Sequence, residues 1–181
     1  MRFKKEIRFV LSVLVITLIS LLLAKVQGQD KLSLGLYQDA KLAFIGDDIG
    51  NDSFTLDAKF DVSMQGKQFK NYYFEIRSQI EYADLKDNFY LSVLVNPNWV
   101  YNSIDRFELS AGAIAGLIYR EKAGEEEQFM SFISFGLSGD ISFLLTDDIK
   151  ISYLGQYIYR GEFYMNKMVY NGYIGIKYNL N

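Results

Sequence analysis

From Leu32 onward, hydrophobic side chains recur at every second residue in eight separate segments of the chain. In each segment one of the two faces carries no charged side chain. A period of two with one apolar face is typical of a β-strand whose two sides meet different surroundings. Eight such segments predict an all-β fold, an eight-stranded antiparallel up-and-down β-barrel. The predicted strands are 32–44, 54–64, 72–82, 89–101, 107–119, 129–145, 149–159 and 168–180.

The N-terminal residues predict a cleavable secretory signal peptide. Four basic side chains precede Phe9–Leu23, an uncharged apolar run of 15 residues, and Val26–Gly28 offers compact residues before a cleavage site. A retained membrane anchor is the alternative, but a spanning helix needs roughly 20 residues. We therefore expect a signal peptide at 1–28 and one barrel domain at 29–181.

Charge and composition exclude several classes of function. The chain has 19 Lys plus Arg and 22 Asp plus Glu; residues 1–28 hold five bases and one acid, which leaves 14 against 21, or −7. Such an acidic surface argues against nucleic acid as a partner, because phosphate binding relies on Lys and Arg. The chain has no Cys, so it forms no disulfide and carries no lipid-modified cysteine.

The uncharged face favours a membrane barrel over a soluble ligand-binding barrel, which would turn its apolar side chains inward. Lipid contact demands a face without charge, because Arg or Lys at the bilayer midplane costs about 2–4 kcal/mol. Aromatic side chains also gather at the segment ends, as expected for girdles at two membrane interfaces. These aromatic residues are Tyr72, Tyr82, Phe89, Trp99, Tyr101, Phe107, Tyr119, Phe129, Phe143, Tyr157, Tyr159, Tyr170 and Tyr178.

The C-terminal residues resemble the assembly signal of a known family. Gly175, Tyr178 and Leu180 fill the glycine, aromatic and apolar positions of the β-signal of small OmpA/OmpX-like, porin-family outer-membrane barrels. Asn181 departs from that pattern, since the family usually ends in an aromatic residue. The resemblance implies location in the outer membrane of a Gram-negative bacterium, surrounded by lipid and lipopolysaccharide, and assembly by the barrel-assembly machinery. The sequence has no Walker loop, dinucleotide fingerprint or His/Cys metal cluster, so we expect no cofactor and no metal. It identifies no further protein partner.

The other face of the segments places charged residues inside the predicted barrel. An eight-stranded barrel is just wide enough for side chains to fill it, and isolated buried ions cost several kcal/mol each. We therefore expect these residues to pair in an interior charge network, in a register that brings Asp61 near Arg77. Its predicted members are Asp39, Lys41, Asp57, Lys59, Asp61, Glu75, Arg77, Glu81, Glu108, Asp140, Lys150 and Lys177, with Arg106, Arg120 and Arg160 at the rims.

The connections predict the orientation of the barrel. With the N-terminus in the periplasm, 65–71, 102–106 and 146–148 become periplasmic turns, and 45–53, 83–88, 120–128 and 160–167 become external loops.

Two residues interrupt the strand pattern. Pro97 costs a ladder hydrogen bond and is expected near a strand end or bulge. Gln38 is a polar exception on the first apolar face.

The leading functional hypothesis is a structural or interaction role in the bacterial envelope, and the alternative is a small pore or carrier for ions or solutes. Paired carboxylates such as Glu75 and Glu81 suit acid/base chemistry in principle. Outer-membrane barrel enzymes generally rely on a histidine, however, and the chain has none, so we expect no enzyme.

Two further motifs have simple structural interpretations beside functional ones. Glu125–Glu127 either gather divalent cations or form solvated loop charge. Gly112 and Gly116 are expected to make room for bulky partners.

Overall fold

Eight antiparallel strands close into a barrel in the part of the chain that the structure describes. The structure is a computed structural model that describes residues 31–47, 50–86, 88–102, 106–122, 130–160 and 168–180. Each strand pairs with its neighbours in sequence order, and β8 pairs with β1. The strands are β1 Lys31–Asp39, β2 Asp57–Phe69, β3 Tyr72–Leu85, β4 Asn88–Asn102, β5 Phe107–Lys122, β6 Met130–Leu144, β7 Ile149–Tyr159 and β8 Met168–Leu180.

The predicted eight-stranded antiparallel barrel is therefore confirmed. The predicted signal peptide at 1–28 and the acidic run Glu125–Glu127 lie outside the described residues. Within the described ranges, no helix is long and apolar enough to cross a membrane.

The first strand is shorter than the sequence pattern predicts. Strand β1 ends at Asp39, and a short helix, α1, follows over Ala40–Phe44. The Asp39 carboxylate accepts a hydrogen bond from the backbone N–H of Leu42 at 2.9 Å, which caps the helix N-terminus. Ala, Lys and Leu are good helix formers, so the capped segment leaves the sheet although its apolar residues still alternate. The prediction of a strand to residue 44 is wrong for this reason.

Two connections are also shorter than predicted. Strand β2 runs on to Phe69 through an irregular register between Gln65 and Gln68. The turn to β3 is therefore Lys70–Asn71 instead of 65–71, and Lys70 has a positive φ of 53°. Strands β3 and β4 leave only residues 86–87 between them, where the sequence predicted a loop over 83–88. Polar residues such as Lys67, Gln68 and Asp84 are exposed at the ends of these strands, and in the sequence they resemble loop residues.

Pro97 lies inside β4, not near its end. It pairs with Ile76 on β3, while pairing with β5 stops at Val95 and resumes at Asn98. The neighbouring Asn96 side chain donates from Nδ2 to the Ala113 carbonyl at 2.5 Å. A side-chain amide thus satisfies a carbonyl oxygen of β5 at the point where proline has no N–H to offer.

The apolar stripe faces outward and the polar stripe faces inward. Large apolar side chains remain exposed along the outer surface, including Val95 at 47%, Leu117 at 51% and Ile133 at 71%. The interior also holds apolar clusters; one of them joins Leu94, Ile114 and Ile158. The barrel wall is therefore apolar outside and encloses a mixed polar and apolar core.

Candidate functional site: the ionic interior

Inward-facing positions of several strands bring most of the predicted charge network together. Alternation along each strand turns every second side chain into the lumen. Most predicted members of the network are buried, namely Asp39, Asp57, Lys59, Asp61, Glu75, Arg77, Glu81, Asp140, Lys150 and Lys177. Glu108 is slightly more accessible than these residues, with its side chain 12% exposed.

Lys41 is the exception, and its predicted interior position is wrong. It lies in α1 with an exposed side chain. Because the strand ends at Asp39, the inward phase of β1 does not continue to residue 41.

The first group of charges, the Arg77 cluster, consists of Asp61, Glu75, Arg77, Asp140 and Lys177. Arg77 donates to Glu75 from Nε at 3.1 Å and from Nη2 at 2.8 Å. Its Nη1 lies 3.3 Å from Asp140 Oδ2 on the far strand β6, and its Nε lies 3.4 Å from Asp61 Oδ2. The expected proximity of Asp61 and Arg77 is thus present. Lys177 lies 3.0 Å from Asp140, so two cations face three carboxylates.

The second group, the Glu81 cluster, consists of Lys59, Glu81, Ser92, Arg160 and Tyr173. Glu81 Oε1 accepts from Arg160 Nη2 at 2.8 Å and from the Tyr173 hydroxyl at 2.6 Å. Its other oxygen accepts from Ser92 at 2.9 Å and lies 3.6 Å from Lys59 Nζ. Both oxygens of this fully buried carboxylate are therefore engaged, which is what makes a buried charge tolerable.

Aromatic rings and amides surround the Glu81 cluster. Lys59 Nζ lies 3.9 Å from the centroid of Tyr173 and donates to Gln156 Oε1 across the lumen. The guanidinium of Arg160 lies 4.8 Å from the centroid of Tyr90. Tyr90 in turn donates to Asp57 at 2.7 Å. Cation–π contacts of this kind strengthen when water is excluded.

Lys150 and Lys177 face each other directly across β7 and β8. Two like charges at this separation repel, but each amino group turns to a different carboxylate. Lys150 lies 2.6 Å from Glu108, and Lys177 joins Asp140 in the Arg77 cluster. In this register each lysine therefore has its own carboxylate partner.

The predicted network did not include Arg160 and Tyr173, although both contact Glu81. Arg160 was assigned to the rim, yet it is 2% exposed and touches Glu81. The signal was present: Arg160 continues the inward phase of Gln156 and Ile158 one step beyond β7. Burial is the largest single effect and opposes the charge of Arg160, which follows β7, but Glu81, Tyr90, Tyr173 and Asp57 together outweigh burial and raise the pKa of Arg160 above its ordinary value.

The residues of the predicted assembly signal lie on the strand that closes the barrel. Gly175 pairs with Tyr37 of β1, and Leu180 pairs with Leu32. A Cβ at Gly175 would collide with the backbone oxygen of Leu36 and with the Tyr37 ring. Tyr178 is 46% exposed on the outer surface. Glycine at 175 therefore lets an interior tyrosine ring lie against the closing pair of strands.

The two carboxylates that the sequence proposed for acid/base chemistry, Glu75 and Glu81, are both held by neighbouring side chains. Glu75 is held by Arg77, and Glu81 by Arg160, Tyr173 and Ser92. Among the described residues no group of three or more potential metal ligands could hold an ion. A general base needs access to a substrate proton, whereas these carboxylates are enclosed and already paired.

At Gly112 and Gly116 the nearest obstacle to a side chain is the backbone of β4, whereas the sequence predicted bulky interior partners. A Cβ at Gly112 would collide with the Pro97 carbonyl, and one at Gly116 would collide with the Val93 carbonyl. Both glycines permit close approach of β4 to β5.

Comparison with known proteins identifies the class of fold. No protein-family model matches the sequence, and no curated protein matches it. The structure is similar to the crystal structure of Ail, the attachment invasion locus protein of Yersinia pestis, with 14% identity and a TM-score of 0.53 over 83% of this chain and 97% of that chain. It is also similar to a major outer membrane protein from Thermus thermophilus, with 9% identity and a TM-score of 0.52 over 83% of this chain and 98% of that chain.

At these identities the likeness concerns the fold. The chain has the fold of the small outer-membrane β-barrels, and its predicted resemblance to OmpA/OmpX-like proteins is confirmed at that level.

Proposed function

We propose that this chain is an integral outer-membrane β-barrel protein of a Gram-negative bacterium with a mostly filled polar interior and a structural or interaction role in the envelope. The observation that carries the proposal is the sidedness of the wall: the apolar stripe is outside and the ionic stripe is enclosed. A soluble barrel with this surface would expose a continuous apolar band to water, which soluble monomers avoid.

The interior supports a structural role more than transport. Side chains from strands that are not neighbours meet in the lumen, as Arg77 of β3 reaches Asp140 of β6 and Lys59 of β2 reaches Gln156 of β7. Eight strands leave a lumen that side chains can fill. We infer that these contacts cross-link the wall and block a continuous water path, so the short turns and the outer surface remain for partners.

The surroundings follow from the same proposal. Outer-membrane lipid and lipopolysaccharide would cover the outer surface, and the barrel-assembly machinery would insert the chain through the Gly175, Tyr178 and Leu180 signal. Export would use the peptide at 1–28. The enclosed, mutually paired carboxylates support a role other than catalysis.

Two measurements test the proposal. In fractionated cells the protein should remain in the outer-membrane pellet after a carbonate wash; release by osmotic shock would refute the membrane assignment. Purified protein in planar bilayers should pass almost no steady current, with a large water-filled porin as the positive control. A steady open-channel current would refute the filled interior and support the pore or carrier alternative instead.

A further inference from the structure

The end of the barrel at which β1 stops carries an unusual apolar segment. The rim segment, residues 40–47 and 50–56, comprises α1 and the chain that leads into β2. Three of its large apolar side chains are strongly exposed: Phe44 at 69%, Ile45 at 78% and Phe54 at 86%. Leu56, next to β2, is 48% exposed. A loop that is surrounded by water normally carries polar residues at its most exposed positions.

The rim segment follows directly in the chain on outward-facing residues of β1. Helix α1 packs beside β1 and β8, where β8 extends beyond the end of β1. Gln38, the polar exception on the outward face of β1, donates from Nε2 to the Thr55 carbonyl at 2.9 Å. Leu36, the next outward residue of β1, is 63% exposed. Exposed apolar side chains therefore continue along the chain from outward-facing Leu36 into the rim segment.

Backbone groups of the rim segment find partners within the protein. Phe54 N donates to Leu42 O at 2.8 Å, and Ile45 N donates to Lys41 O at 2.9 Å. Both N–H groups belong to residues whose apolar side chains are exposed. In an apolar medium each unsatisfied backbone group is costly, so this bonding suits a segment that contacts lipid.

The rim segment is also held in place. Asn51, 7% exposed, donates from Nδ2 to Asp47 at 2.8 Å and accepts from Lys86 N at 2.7 Å. Phe54 has a positive φ of 67°, a conformation that is unusual for a bulky residue. A fixed segment that holds a phenylalanine in this conformation, with its ring exposed, indicates a surface for contact.

We propose that the rim segment is a membrane-contacting element whose residues Phe44, Ile45 and Phe54 enter the acyl-chain region of the bilayer that surrounds the barrel. The inference rests on the proposed membrane location, because the acyl chains that cover Leu36 and its outward neighbours are continuous with those that would cover the rim. A second copy of the chain or water would be the competing occupant.

Tryptophan fluorescence tests the proposal. Trp99 is the chain's one tryptophan, so Phe44→Trp and Phe54→Trp are each made in a Trp99→Phe background. The folded proteins, verified by a heat-dependent gel shift, are placed in phosphatidylcholine vesicles with or without brominated acyl chains. Iodide serves as the aqueous quencher. Val95→Trp provides the mid-wall reference and Asp147→Trp the exposed-turn control.

Both rim variants should lose at least half as much fluorescence to brominated lipid as Val95→Trp does. Iodide should quench them several-fold less than Asp147→Trp. Strong iodide quenching without lipid quenching would overturn the inference in favour of water, and protection from both quenchers would overturn it in favour of a second copy. Absence of lipid quenching at Val95→Trp as well would instead refute the membrane location itself.

Discussion

Arg77 is the residue whose removal tests the interior network most sharply. It is fully buried and lies between Glu75, Asp61 and Asp140. Replacement by Met keeps much of the side-chain volume but leaves these carboxylates with Lys177 as the remaining cation of the cluster. Removing one partner of a buried ion pair costs about 3–5 kcal/mol, because the uncompensated charge stays buried. We expect Arg77→Met to lower the free energy of unfolding by about that amount.

Two further variants separate charge from geometry. Arg77→Lys keeps the charge but loses the planar guanidinium group that gives Glu75 two hydrogen bonds. Its free energy of unfolding should therefore lie between those of the wild type and Arg77→Met. Adding Glu75→Gln to Arg77→Met removes one unpaired carboxylate. The double variant should recover stability, with a coupling energy of about 0.5–3 kcal/mol.

Urea unfolding from lipid vesicles provides the measurement, since the shift in midpoint multiplied by the slope gives the change in free energy. Arg106→Met is the matched control because Arg106 is exposed at a turn, and it should leave the midpoint nearly unchanged. If Arg77→Met were no more destabilising than Arg106→Met, the interior charges would not be coupled as the contacts indicate.

Three further substitutions have defined outcomes. Leu117→Arg, at a 51% exposed outward position, should lower stability in vesicles by about 2–4 kcal/mol if that face meets lipid; an unchanged midpoint would argue against it. Gly175→Ala should reduce the yield of the compact gel band because a Cβ collides there, whereas Gly139→Ala, with only ordinary contact, should not; equal yields would contradict the crowding. Asn96→Ala should cost about 1–3 kcal/mol through a lost buried hydrogen bond beside Pro97, and urea midpoints would show whether it does.

The period-two pattern was sufficient to predict most of the wall. Strands β7 and β8 have the predicted bounds, 149–159 and 168–180, because strict alternation there is bounded by turn residues or by a clear change of phase. The pattern failed after Asp39. There a side-chain cap and good helix formers favour a short helix over a longer strand. The alternation of apolar residues alone does not show this local preference for helix.

The membership of the ionic interior could be predicted better than its pairing. Facing direction follows from the parity of each strand, which places Glu75, Arg77 and Asp140 inside. The contact from Arg77 to Asp140 spans the lumen between residues 63 positions apart, and it depends on the stagger of the closed barrel. Local sequence does not fix that stagger, so cross-lumen partners emerge only from the structure.

Accessibility of the outer face tests the central claim most directly. The chain has no native Cys, so single cysteines at Val93, Ile151 and Ile174 can be probed in vesicles with a membrane-impermeant maleimide, alongside Thr146→Cys on an exposed turn. If the apolar stripe faces acyl chains, the first three sites should stay unlabelled until the protein is unfolded, while position 146 reacts at once. Rapid labelling of the three wall sites in the folded protein would contradict the account.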